Sequence, residues 1–226
     1  MRSERTKKMT ILAMLSSLAF LLTVIFYIMP IPPFIPAAPF LNYEPKDVIF
    51  VIAGFIFGPL AVVPMAIIVS VLEMPFSGTQ VIGLAMNIMA SCAFACPAAF
   101  VYQKRRTLAG AVIGLVSGVF FMTVVMLLWN YLLVPIFLGV PREVVTQMLL
   151  PVFLPFNLIK GGLNAAVAMI LYKPVKEALS KARLMPGEGG AAIPGQSRTV
   201  SIGILLISVF VIITCVMFIL ALQRVI

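Results

Sequence analysis

Residues 9–29, 80–102, 108–135, 151–172 and 200–222 are apolar over lengths close to the ~20 residues a helix needs to cross a bilayer. Hydrocarbon offers no water to the backbone, so each stretch must satisfy its own N–H and C=O groups as a helix. The chain therefore reads as an all-α membrane protein that crosses several times. Composition leaves little for anything else: 62% of its 226 residues are hydrophobic and 10% charged. No stretch outside the spans can build a second core or house a catalytic domain. The N-terminus is basic and then apolar, but lacks a small-residue cleavage site, so it reads as a retained first helix.

Residues 47–72 are apolar but broken at Gly58-Pro59, a dipeptide that marks a turn. Each half is shorter than a full span, which predicts short second and third helices that tilt or stop inside the bundle. Residues 73–79 read as the turn that follows. The charges test this division. The net charge is +9, and its basic residues cluster: Arg2, Arg5, Lys7 and Lys8; Lys104, Arg105 and Arg106; Lys173, Lys176, Lys181, Arg183 and Arg198. Each cluster abuts an apolar span, which is the positive-inside pattern rather than a nucleic-acid surface. If 47–72 is two helices, all three clusters fall on one side, the cytoplasm, and only Lys46, Arg142 and Arg224 lie outside. If it is one helix, Lys104–Arg106 lands opposite the basic N-terminus. The expected organisation is a six-helix substrate-binding membrane domain over 1–177, a flexible Gly/Pro/Ala-rich linker over 178–199, and an additional transmembrane helix within 200–226. The N-terminus is then cytoplasmic and the last helix carries the C-terminus outside.

Residues 30–39 hold five prolines, Pro30, Pro32, Pro33, Pro36 and Pro39, and cannot form a regular helix. The segment is too apolar for an ordinary solvated loop and reads as a lid on the outer mouth of the bundle. Beneath it the topology gathers the polar residues of the spans: Asn87, Asn130, Asn157 and Lys160. A lysine inside a membrane helix costs about 2.5–3.5 kcal/mol by insertion measurements. Asn157, Lys160 and Asn164 share one helical face. A ligand site is one reading; snorkelling of Lys160 to the interface and interhelical hydrogen bonds by the asparagines are the others. Phe34, Phe40, Tyr43, Trp129 and Tyr131 offer surface for stacking or for an interfacial aromatic belt. Cys92, Cys96 and Cys215 all lie in apolar spans and read as packing residues.

Several motifs carry a family resemblance. They are the Pro-rich loop ending in Phe40-Leu41 and followed by Asp47; Ile52-Ala53-Gly54-Phe55-Ile56-Phe57-Gly58-Pro59; Asn130-Tyr131; and Leu154-Pro155-Phe156-Asn157-Leu158-Ile159-Lys160-Gly161. Together, over roughly residues 5–177, they resemble the riboflavin-type S components of energy-coupling factor (ECF) vitamin transporters. The resemblance implies a six-helix S-component bundle in a prokaryotic plasma membrane. It implies riboflavin as transported ligand, no cofactor, and as partners a transmembrane coupling protein and two ATPase subunits. It also implies that Leu41, Asn130, Asn157 and Lys160 contact the flavin, with Asn87 lining the same pocket. The stretches 69–74 and 43–47 depart from the family's usual pattern. On the first helix, Ala13 and Ser17 are small residues four apart. They resemble the motif by which S components dock on their coupling protein, although small-xxx-small is also common in packing within one chain. The helix over 200–222 lies outside the usual six.

Two other function classes are weaker. A secondary transporter usually carries carboxylates within its spans, whereas Glu4, Glu44, Asp47, Glu73, Glu143, Glu177 and Glu188 all read as helix ends or loops. An intramembrane enzyme has no histidine and no paired carboxylates to use. No phosphate-binding Gly-x-x-x-x-Gly-Lys-Ser/Thr loop is present, so energy from ATP would come from partners.

Overall fold

The computed structural model describes residues 2–29, 33–36, 38–77, 80–181 and 198–223. They form α1 (Arg2–Ile28), α2 (Lys46–Phe57), α3 (Pro59–Ser77), α4 (Gln80–Arg105), α5 (Leu108–Leu138), α6 (Arg142–Met148), a π-helical turn (Leu149–Phe153), α7 (Leu154–Lys181) and α8 (Arg198–Leu222). Six segments are long and apolar enough to cross a membrane: Arg5–Ile28, Pro59–Ser77, Val81–Arg105, Leu108–Leu138, Arg142–Val175 and Leu205–Leu222.

The exception, α2, organises the rest. It has 12 residues, and every one from Lys46 to Phe55 is buried. A helix that is apolar all round must be covered on every side, and α1, α3, α4 and α7 surround it. At 1.5 Å per residue α2 is about 18 Å long. It starts beneath the loop that follows α1. It ends where Lys8 Nζ lies 6.0 Å from the Phe57 ring centroid, so its C-terminus has returned to the basic end of α1. Gly58 makes the reversal at φ 98°, and a Cβ there would sit 2.8 Å from the Gln103 side chain near the end of α4. Both the backbone angle and the space call for glycine. The break at Gly58-Pro59 is therefore a turn between two helices, as the charge pattern requires.

Three boundaries differ from the sequence reading. The third helix is not short: α3 continues through Glu73 to Ser77. Glu73 is buried beside Lys46 rather than placed in a turn, and the helix runs on through Pro64 and Pro75. The span expected over 151–172 begins earlier, because α6 and a π turn run directly into α7 and make one helical segment from Arg142. At its other end α7 runs to Lys181, past the expected start of the linker at 178. The remainder of that linker, 182–197, lies outside the described residues, as does Arg224.

Packing divides into two clusters. One, around Phe50, Val62, Phe94 and Leu115, fills the bundle from α2 to α5. There α4 and α5 touch closely at Gly114 and Gly118, where a Cβ would meet Ala98 O at 2.6 Å and Phe94 O at 2.4 Å. The other cluster joins Phe34, Ile35 and Ala38 of the Pro-rich loop to Phe153, Phe156 and Ile159 around the start of α7. This second cluster holds the loop down over the end of the bundle where α2 begins.

Candidate functional site

Beneath the loop lies a cavity lined by Phe40, Leu41 and Asn42 from the loop, by Met86 and Asn87 of α4, by Met126 and Asn130 of α5, and by Phe156, Asn157 and Lys160 of α7. Leu41, Asn87, Asn130, Asn157 and Lys160, the five residues singled out from the sequence, thus share one wall-to-wall space. Much of its lining is apolar, including Phe40, Leu41, Met86 and Met126. Polar groups enter from α5 and α7. Such a slot suits a flat molecule with hydrogen-bonding groups along its edge.

Asn130 is 1% exposed, and its Oδ1 has no hydrogen-bond partner among the described residues. A buried carbonyl left unpaired costs about 1–3 kcal/mol, so this acceptor is a natural anchor for a donor on a bound molecule. Asn157 donates from Nδ2 to Phe153 O at 2.7 Å, within its own helix. Neither asparagine forms the interhelical bond that the alternative reading required. Asn87 donates to Glu73 Oε1 at 2.6 Å, so its amide nitrogen is already committed.

Lys160 does not snorkel: it is 5% exposed. Its ammonium pairs with Glu44 Oε2 and lies 3.9 Å from Asp47 Oδ2. Glu44 is shared, since Lys46 Nζ donates to its Oε1 at 3.0 Å. Lys46 in turn reaches Glu73 at 2.5 and 2.6 Å. Asp47 accepts from Ser91 Oγ at 2.5 Å and from Asn164 Nδ2 at 3.5 Å. Asn164 also donates to the Glu44 backbone carbonyl at 3.1 Å. Two ammoniums and three carboxylates therefore form one network that joins the loop to α2, α3, α4 and α7. Burial pushes the Glu44 carboxyl up, but Lys160 and Lys46 outweigh it and hold it at about 2, so Glu44 is a fixed anion on the cavity wall.

The sequence reading placed these groups by position and missed their burial. Glu44 is in the loop, Asp47 is in the first turn of α2 and Glu73 is in the last turns of α3, yet all three are buried. Lys46 lies at the lid end and is 0% exposed. A signal for them was present: a lysine buried in a span needs a carboxylate, and the Glu44-Pro45-Lys46-Asp47 run is the charged segment nearest the lid. On the far side of the molecule, Ala13 and Ser17 are exposed on α1, and Ser17 Oγ donates to Ala13 O at 2.9 Å. The hydroxyl is turned onto its own helix.

Residues 7–172 match the family model described as "ECF transporter, substrate-specific component". The chain belongs to this family. It is thus a substrate-binding subunit of a transporter, not an enzyme, and a multi-pass membrane protein. It is similar to the riboflavin transporter FmnP of Bacillus subtilis (strain 168), at 29% identity over 189 residues, covering 79% of this chain and 97% of that one. It is similar to the riboflavin transporter RibU of Staphylococcus aureus (strain TCH60), at 29% identity, covering 79% of this chain and 95% of that one. Among solved structures it resembles the S component of a bacterial ECF transporter, with a TM-score of 0.65 and 30% identity, covering 77% of this chain and 98% of that one. The S-component family model ends at residue 172, before α8 begins.

Proposed function

We propose that this S component binds riboflavin beneath the Pro-rich loop, from the outer side of a prokaryotic plasma membrane. Import is then completed with a transmembrane coupling protein and two ATPase subunits, while the N-terminus stays cytoplasmic. The observation that carries the reading is the unpaired Asn130 Oδ1 in a largely apolar cavity that Asn157 and Lys160 also line. It is supported by similarity to two proteins named as riboflavin transporters. The flavin ring offers an N–H flanked by carbonyls along one edge. An asparagine side chain presents both an acceptor and a donor, so Asn130 and Asn157 can match that edge. Lys160 supplies a donor to a flavin carbonyl or a ribityl hydroxyl, and Glu44 holds its ammonium in place. Leu41 covers the ring from the loop, and Asn87 lines the slot from α4. Riboflavin is cargo, and no cofactor enters this reading. Ala13 and Ser17 form the docking face for the coupling protein.

The test is titration of the purified protein with riboflavin, following quenching of flavin fluorescence. Saturable one-to-one binding at nanomolar concentration is expected. No quenching rejects riboflavin, and other vitamins are then screened on the same pocket.

A further inference from the structure

Helix α8 has no place in the family match, yet it is seated on the part of the molecule that covers the ligand cavity. Ile212, Cys215, Ile219 and Leu222 lie three or four residues apart, so they form one stripe along α8. That stripe packs into the cluster containing Phe34, Ile35 and Ala38 of the loop and Phe153 and Phe156 of the cavity wall. The opposite face is open, with Phe210 69% and Ile213 55% exposed. On α7, Gly162 faces this stripe: a Cβ there would lie 3.4 Å from Cys215 Sγ, an ordinary contact distance.

The polar contact is more telling. Gln223, immediately after the helix, donates from Nε2 to the backbone carbonyl of Pro33 at 2.9 Å. A proline-rich loop cannot satisfy its own carbonyls in a helix or sheet, so an outside donor is worth more there than on a regular element. Pro33 is the root of the same segment that brings Phe40 and Leu41 over the cavity. Phe34, next in sequence, has its ring centroid 5.3 Å from that of Tyr43 and 6.1 Å from that of Phe156. A pull on Pro33 is thereby passed through packed aromatic rings to both ends of the loop.

We propose that α8 is a strap for the lid: it holds residues 33–36 and 38–43 closed over the cavity and slows the departure of the bound molecule, with Gln223 as the positioning residue. The identity of the retained molecule rests on the riboflavin reading above; the mechanical role of α8 does not. The cavity wall itself is complete without α8, so the strap acts on exchange rather than on recognition.

The experiment compares full-length wild type with Gln223→Leu, Ile219→Ala and, as a control on the open face of α8, Phe218→Ala. Release of riboflavin is followed by stopped-flow fluorescence. Hydrogen–deuterium exchange of segment 33–43 is measured without ligand, alongside thermal unfolding. Gln223→Leu is expected to speed release about 2- to 10-fold, the size of one net hydrogen bond, and to raise exchange in 33–43. Exchange in α2 and the unfolding midpoint should stay unchanged, Ile219→Ala should act in the same direction, and Phe218→Ala should do nothing. Should Gln223→Leu fail to fold, Gln223→Glu removes the donor at equal size and reads the same quantities. Release and exchange unchanged in both strap variants, or a lowered midpoint with unchanged release, overturns the strap. If wild type fails to bind riboflavin, the functional reading falls, and exchange in 33–43 alone decides the strap.

Discussion

At the residue scale, Lys160 shows how far a single side chain can be read. Its position in an apolar stretch already demanded a partner, a ligand or a route to water. The structure answers with a partner, Glu44, and a cavity on the other side. The need for a carboxylate was legible, but not which one, because Glu44 is 116 residues away and Asp47 stands in the same run. Polarity predicts exposure unless a counter-charge is known to be near, and only the fold brings it near. Lys160→Ala is expected to weaken riboflavin binding at least about tenfold, the loss of a buried hydrogen bond to a charged group. It also leaves Glu44 with Lys46 alone and should lower the unfolding midpoint. The double variant Glu44→Gln, Lys160→Met removes both charges. It should regain part of that stability but none of the binding, which calorimetry and flavin quenching separate. Asn130 gives the opposite sign. Its Oδ1 is buried and unpaired, so Asn130→Leu removes an unsatisfied acceptor at nearly equal volume. The ligand-free protein should be as stable or more so, while riboflavin binding weakens about tenfold. A fall in stability without loss of binding would make Asn130 a packing residue.

At the element scale, what was legible depended on whether a helix faces lipid or protein. The long helices follow from length and hydropathy. The short α2 was legible through Gly58-Pro59 and charge placement, because a one-helix alternative sets Lys104 on the wrong side. The extension of α3 through Glu73 was not, since a glutamate ends an apolar run only if its charge is unpaired. The α4–α5 crossing depends on absent side chains, which no hydrophobicity pattern reports. Gly118→Ala places a Cβ 2.4 Å from Phe94 O, so one helix must move; overpacking of this kind costs about 1–3 kcal/mol. Gly203→Ala, with nothing within 4 Å, should leave the unfolding midpoint unchanged or raise it. Equal shifts for the two would show that α4 and α5 are not in close contact. On α1, the exposed Ala13–Ser17 face contributes nothing to the core. Ala13→Trp is accordingly expected to abolish most riboflavin uptake by cells while leaving the dissociation constant of the purified protein unchanged. Loss of both would place that face inside this chain's own folding.

At the scale of the whole molecule, two ends differ in kind. One carries Lys8 at the start of α1, Lys104 at the end of α4 and the Gly58 reversal beside Gln103. The other carries the lid, the ion network and the cavity. The Gln223–Pro33 hydrogen bond sets the C-terminal end of α8 at the lid end, so the helix starts toward the basic end. Each helix from α1 onward thus alternates direction, with α6, the π turn and α7 counted as one pass. On the proposed orientation, with positive residues on the cytoplasmic side, the lid end is external and the cavity opens outside. An alkaline phosphatase fused after Ile226 should be active and a green fluorescent protein there dark. The same pair fused within 182–197 should give the reverse. Phosphatase activity at neither place would mean that α8 does not cross and would remove the strap. Activity within 182–197 but not after Ile226 would invert the molecule, put the cavity on the cytoplasmic face and remove uptake from the outside as its function.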